Sequence, residues 1–331
     1  MFELKHVDRV NLELFELFGR IGYRLYSLIP GLNMLAPFDP TAPLDPFQLN
    51  LFAAKDDCAA RLEQRGLLGL ATDIELPRHP PDDDVWFEHI EKLAYSGRFL
   101  GRWVRFRSGT RGIAHSILYA VPYTRGLLER WRLFPAPGDP DLLAYLDALN
   151  DYARAYSQKT PPAYRPAFLA RSLATLSDLL GGKSAPYSRL STWARVAGDA
   201  GRRDLAGKIA VGMIEAVDSG RLVCNANEPF LPAIGSFDER EPGVEPESWF
   251  VSSLLEAAIR LGHYSSYFSG APALPYLDRL TGGRYQSPEM ERRRQLVRMQ
   301  CGLQASPEAS AILEAQSADN LNPAHWARGH A

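Results

Sequence analysis

From Pro80 onward, almost every apolar run in the chain repeats at α-helical spacing, and this periodicity limits the fold more than any other feature. A helix is expected behind the acidic start Asp82-Asp83-Asp84, over Val85–Tyr95, and another over Leu142–Tyr156 behind Pro140. Tyr164–Leu180 follows, stopped by Gly181-Gly182, then Ser188–Ala200, Arg202–Ser219 and Glu247–Leu261. A last helix starts at Pro288, just after Ser287, and runs to about Gln300. Residues beyond Ser306 are small, polar and patternless, as in a loose tail.

The first part of the chain obeys a different period. Phe2-Glu3-Leu4-Lys5-His6 reads as a strand already in progress, followed by a helix from Asn11 to Ile21. Leu14, Leu17, Phe18 and Ile21 fall on one stripe that is expected to be buried, and Gly22 offers a left-handed stop. Tyr23–Leu28 is extended until Pro30-Gly31, and the prolines from Pro37 to Pro46 exclude regular structure. Gln48–Ala54 alternates as a strand, and Asp56–Gln64 is a helix ending at Gly66. The expected fold is mostly α with a small N-terminal α/β piece. Residues 1–66 form that piece, 67–81 a linker, 82–303 a helical domain and 304–331 the tail.

Composition narrows the function. Hydrophobic residues make up 46% of 331 positions, enough for a sizeable core, and a net charge of −2 gives no global attraction to nucleic acid or anionic membrane. Cys58, Cys224 and Cys301 are odd in number and far apart, which suggests neither a disulfide framework nor a zinc site. There is no H-E-x-x-H, G-x-S-x-G or P-loop, so no metal is assigned. Without a signal peptide or a long apolar run, a cytoplasmic location is expected, with no nucleic-acid or membrane partner.

The order strand–helix–strand–loop–strand resembles the closing third of a class I S-adenosylmethionine-dependent methyltransferase. Phe2-Glu3-Leu4-Lys5-His6, Gly22-Tyr23-Arg24-Leu25-Tyr26 and Asn50-Leu51-Phe52-Ala53-Ala54 look most like the FkbM type. The resemblance implies a three-strand edge of that sheet, with the last strand inserted antiparallel between the other two. It implies a complete enzyme that methylates an oxygen of a glycan or small metabolite. Such enzymes hold S-adenosylmethionine with a glycine-rich turn after their first strand. This sequence carries no G-x-G-x-G, so the chain alone is expected to lack a cofactor site and catalytic competence. The implied partner is a chain or domain that completes the sheet. Glu3, Lys5 and His6 would then stand on the acceptor side, where His6 could act as a base or be only the first loop residue.

Arg98-Phe99-Leu100-Gly101-Arg102-Trp103-Val104-Arg105-Phe106 is the densest mixture of cations and aromatics. On a helix, Arg98, Arg102 and Arg105 share a face, which would suit a phosphate or sugar nucleotide. The alternative, which the pattern favours, buries Phe99, Trp103 and Phe106 and lets the arginines snorkel to water. Arg292-Arg293-Arg294 reads as a solvated face, and the asparagines of Cys224-Asn225-Ala226-Asn227-Glu228 as turn residues. Trp193–Ala206 and Trp249–Tyr264 hint at degenerate tetratricopeptide-type hairpins, but no period near 34 residues emerges. An irregular bundle fits equally well. The non-enzymatic alternative is therefore a helical module that binds a protein partner.

Overall fold

The computed structural model describes residues 1–3, 5–6, 9–10, 12–42, 44–47, 50–72, 74–76, 84–104, 140–262 and 270–303. In chain order the strands are β1 (Phe2–Glu3), β2 (Lys5–His6), β3 (Arg9–Val10), β4 (Arg24–Ile29), β5 (Met34–Pro37) and β6 (Asn50–Ala54). The helices are α1 (Leu12–Arg20), α2 (Asp56–Gln64), α3 (Val85–Ile90), α4 (Pro140–Tyr156), α5 (Arg165–Leu180) and α6 (Tyr187–Asp199). They continue with α7 (Arg203–Asp218), α8 (Glu247–Leu261), α9 (Leu274–Thr281) and α10 (Pro288–Gln300). The described chain is mostly helical, with one small four-stranded antiparallel sheet and the two-stranded ribbon β2-β3.

The sheet order is β1-β6-β4-β5. Strand β6 runs antiparallel to both neighbours, with Phe2 opposite Leu51 and Tyr26 opposite Phe52. β4 and β5 form a hairpin, Ile29 opposite Met34, through the 3-10 turn Pro30–Leu32. β5 was not expected from the sequence because three apolar residues before a proline make a weak signal. It is an edge strand, where proline is tolerated.

Side chains alternate across β4 as strand geometry requires. Tyr26 meets Ala54, Ala59 and Leu68 in a small core beneath α2. On the opposite face, Ile29 and Ala36 join the large core of the helices, and Leu76 belongs to it too. The segment after α2 runs along β5: Leu35 N–H donates to Leu67 O and Gly69 N–H to Leu35 O, both at 2.8 Å. Leu70 N–H then donates to Ala163 O at 2.8 Å, which ties that segment to the turn before α5. One face of the sheet thus joins the helical core, while the other keeps a small core of its own.

From α4 to α10 the main packing is of each helix on its successor, with α3 against α4. Gly22 and Gly66 end α1 and α2 with φ of 81° and 69°, as their positions predict. Ser287 caps α10, accepting from Met290 N–H at 3.2 Å. The irregular segment around Phe230 passes through the middle of the core rather than over the surface. Phe230 is fully buried, in ring contact with Tyr95, Phe99, Trp103, Tyr187 and Trp249. A buried loop needs partners for its backbone. Here they are hydroxyls: Tyr145 donates to Pro229 O at 2.7 Å, Ser191 to Leu231 O at 2.7 Å, and Tyr95 to Phe230 O.

Several expectations need correction. The α1 stripe is only half covered: Leu17 is 50% and Ile21 53% exposed, while Leu14 and Phe18 are partly buried. Phe18 packs on Tyr23, and Phe15, outside the stripe, packs on Phe38. The expected strand Phe2–His6 is split, since Phe2–Glu3 pair with β6 while Lys5–His6 fold into a hairpin with β3. The helix over Val85–Tyr95 stops at Ile90 and gives way to a 3-10 turn at Ala94–Arg98. Arg292 and Arg293 are buried, 5% and 6% exposed, rather than solvated; Arg293 Nε donates to Glu289 Oε1 at 2.9 Å, which makes its burial tolerable. Helix α9 was not foreseen, and Pro275 in its first turn is its only clear start signal.

Candidate functional site

The residues singled out in the sequence do not converge. Glu3 lies on β1, and Lys5 and His6 lie on the β2–β3 hairpin, with His6 opposite Arg9. Arg98 donates to Val244 O at 3.0 Å and Arg102 to Asn227 Oδ1 at 3.1 Å, while Arg105 lies outside the described residues. Phe99 and Trp103 enter the core, and Trp103 Nε1 donates to Ala226 O at 3.2 Å. Through these bonds Arg98 and Arg102 latch the 225–244 loop onto the stretch that carries them. Asn225 acts as the turn residue that its position suggested, accepting from Asn227 N–H at 3.3 Å.

A concavity lies elsewhere, at the seam of sheet and helices. A groove of about 680 Å³ runs between β4, the proline-rich segment after β5, helix α5 and the α6–α7 turn. Leu28, Phe47 and Phe52 line one side, and Pro166, Leu169 and Leu173 the other. Apolar walls with few polar groups are the common form of a small-molecule site. Its polar side chains include Asp39, Asn50, Arg202 and Arg203. Asp39 Oδ1 accepts from the Thr41 hydroxyl at 2.7 Å and from Thr41 N–H at 2.8 Å. Those bonds hold its carboxyl below the usual carboxylate range, so it stays ionised. Arg203 is committed to structure, donating to Arg260 O at 2.8 Å and lying over the Phe47 ring. Arg202 is exposed on the groove wall.

Beneath the groove's inner end sits a buried polar cluster. Asp199 Oδ2 accepts from the Tyr152 and Tyr156 hydroxyls and from Arg195 Nε, each at 2.8 Å. Arg195 makes a bidentate pair with Asp238 at 2.9 and 2.8 Å. Burial pulls Arg195 down, but Asp199, Tyr152 and Asp238 outweigh it and keep it charged. Burial pushes both tyrosines well above their ordinary value. The His89 ring packs on Tyr152 and Tyr156, at 5.6 and 5.7 Å between centroids. Burial first, then the Arg195 charge, lowers its pKa to about 4, so it is neutral at physiological pH. The cluster joins α3, α4, α6 and the loop carrying Asp238, and the Pro30–Leu32 turn sits on it. A Cβ on Gly31 would stand 2.4 Å from Asp199 Cβ and 2.5 Å from the Tyr156 oxygen. Its groups satisfy one another, so its role is to hold the sheet against the helices.

Sequence reasoning missed both the groove and the cluster. The Asp39-Pro40-Thr41 turn carries a local signal, whereas His89, Tyr152, Asp199 and Asp238 meet only through tertiary packing. Among the described residues, no group of three His, Cys, Asp or Glu residues is arranged to hold a metal, and no helix is long and apolar enough to cross a membrane. Neighbouring strands of the sheet pair antiparallel, and Leu35 makes one isolated parallel bridge to Leu68. Compared with protein-family models, curated proteins and solved structures, the chain has no match in any of the three.

Proposed function

We propose that this chain is the sheet-closing and acceptor-side portion of an FkbM-like S-adenosylmethionine-dependent methyltransferase, whose cofactor is held by another polypeptide segment. The observation that carries the reading is the strand order β1-β6-β4, with the latest strand in sequence lying between the other two and antiparallel to both. That is the arrangement the resemblance implies. A second support is that β1 ends the sheet on one side, so an incoming parallel strand would extend it there. The exposed Leu17 and Ile21 of α1 would be covered by the same addition. In the completed enzyme the seam groove would take the acceptor, a glycan or small metabolite. Ionised Asp39 would accept a hydrogen bond from the acceptor's hydroxyl, and Arg202 would bind an anionic substituent.

The test is methyl transfer from labelled S-adenosylmethionine to low-molecular-weight acceptors, with calorimetry of cofactor binding. It compares residues 1–331 alone with the assembly isolated from native cells. Binding and transfer by the assembly but not by residues 1–331 support the reading. Tight cofactor binding by residues 1–331 alone would overturn the division of the site, and an assembly that neither binds nor transfers would sink the enzyme reading. That last result would favour the second reading, a non-enzymatic helical module with a protein partner, for which the successive helix-on-helix packing from α4 to α10 speaks.

A further inference from the structure

A second cavity of about 340 Å³ lies against helices α6 and α7 and the segments around them, lined in part by Trp193, Met213, Lys183, Lys208 and Arg221. Its composition is unlike the rest of this slightly acidic chain: three cations and no carboxylate line it. Lys208 is shared with Asp204 at 2.7 Å. Among the described residues, the Arg221 side chain donates only through Nε, to Ser219 Oγ at 2.8 Å, and Lys183 has no carboxylate partner. The Trp193 ring is fixed in place because Nε1 donates to Ser177 Oγ at 3.2 Å. Met213 forms a fully packed floor.

The second observation is Gly212, in the interior of α7. Glycine there weakens a helix by about 0.5–1 kcal/mol relative to alanine. Packing does not require it, since nothing stands within 4 Å of where a Cβ would be. It lines the cavity at an exposed position, where a larger side chain would take up open space. A stability cost with no packing return, located at a cation-lined hollow with an oriented indole wall, is the pattern of a retained binding space.

The geometry points to a binding site for a small phosphorylated ring compound, a sugar phosphate or a nucleoside monophosphate. The ring lies on the Trp193 face and over Gly212, and the phosphate is held by Lys183 and Arg221 with Lys208 at the edge. An indole face accepts either a sugar or a base, and a guanidinium binds phosphate through paired N–H donors. A volume of about 340 Å³ is at the small end of ligand pockets, which suits a monophosphate. This site is independent of the methyltransferase reading.

The experiment is calorimetry of the full chain with inorganic phosphate, a hexose 6-phosphate, a nucleoside 5′-monophosphate and the two unphosphorylated parents. One of the ring phosphates is expected to bind more tightly than both inorganic phosphate and its own parent, and the pair shows which ring is preferred. Lys183→Ala and Arg221→Ala should each weaken that binding about tenfold, the scale of one charge-assisted contact. Gly212→Leu should abolish it by filling the hollow, while Gly212→Ala keeps or raises the melting temperature and shows that the helix tolerates a side chain. The proposal is overturned if no ring phosphate binds at millimolar concentration. It is equally overturned if inorganic phosphate binds as well as the ring compounds, or if binding survives Gly212→Leu.

Discussion

The carboxylate of Asp45 caps helix α7 from 159 residues away: its Oδ2 accepts from Asp204 N–H at 2.9 Å, while its Oδ1 accepts from Phe47 N–H at 2.8 Å. The residue preceding α7 is Arg202, whose side chain makes no capping bond, so the orphan donor at that helix start is satisfied by the proline-rich segment instead. One buried side chain thereby closes a turn in the N-terminal part and caps a helix in the body. Asp45→Ala should destabilise the protein by about 1–2 kcal/mol, the range of a lost cap. Asp45→Asn, which keeps an acceptor oxygen, should lose less. Urea denaturation of both variants decides this, and an unchanged midpoint for the alanine variant would refute the cap.

Phe230 ties the irregular segment to four parts of the molecule: the turn bearing Tyr95, the helical stretch of Phe99 and Trp103, α6 through Tyr187, and α8 through Trp249 and Phe250. Truncating so central a ring leaves a cavity that several rigid aromatics cannot close together. Phe230→Ala should cost about 3–5 kcal/mol. Phe230→Leu should cost less because it retains most of the volume. Equal losses from the two variants, read from urea midpoints, would show that ring geometry, not volume, sets the contribution.

Two glycines predict opposite outcomes for the same substitution. Gly31 lies so close to Asp199 and Tyr156 that a methyl group must push the Pro30–Leu32 turn off the buried cluster. Gly31→Ala should destabilise by about 1–3 kcal/mol. Gly19, inside α1, has nothing within 4 Å of where a methyl group would stand, so Gly19→Ala should stabilise by about 0.4–1 kcal/mol. Thermal melts of the two variants should move in opposite directions.

What could be read from the sequence divides along the same physical line. Helices α2, α8 and α10 were legible to the residue because their stripes are long and their ends carry Gly66, Gly262 and Ser287. Their bounds rest on local periodicity and capping, which a single sequence contains. The burial of Arg293 was not legible, because a charged run looks solvated until its partner Glu289, one turn earlier, is seen to be buried with it. The seam groove was hidden for a related reason: its walls come from residues as far apart as Phe52 and Leu169, and only the packing of sheet on helices brings them together. Asp45 shows the limit most clearly. It follows Pro43 and Leu44 in a stretch that reads as loop, and the helix it caps begins at Arg203.

The buried cluster makes stability depend on pH through His89. Burial and Arg195 lower its pKa from an ordinary 6.5 to about 4 in the folded protein. Above pH 6.5 neither the folded nor the unfolded chain carries the proton, and the full contribution to stability is present. As pH falls from 6.5 toward 4, the unfolded chain takes up a proton that the folded chain refuses, so stability declines. The slope should approach about 1.4 kcal/mol per pH unit, and the loss should total roughly 3 kcal/mol before it levels off. The groups facing the ring work against one another: Arg195 and Lys92 lower the pKa, while Asp238 and Asp199 raise it. The acid response of the rest of the chain is common to wild type and variant, so comparison isolates the His89 share. His89→Phe, which keeps a ring against Tyr152 and Tyr156, should flatten the decline between about pH 6.5 and about pH 4 when urea midpoints are measured across that range. Parallel curves for wild type and His89→Phe would show that His89 does not set the acid sensitivity.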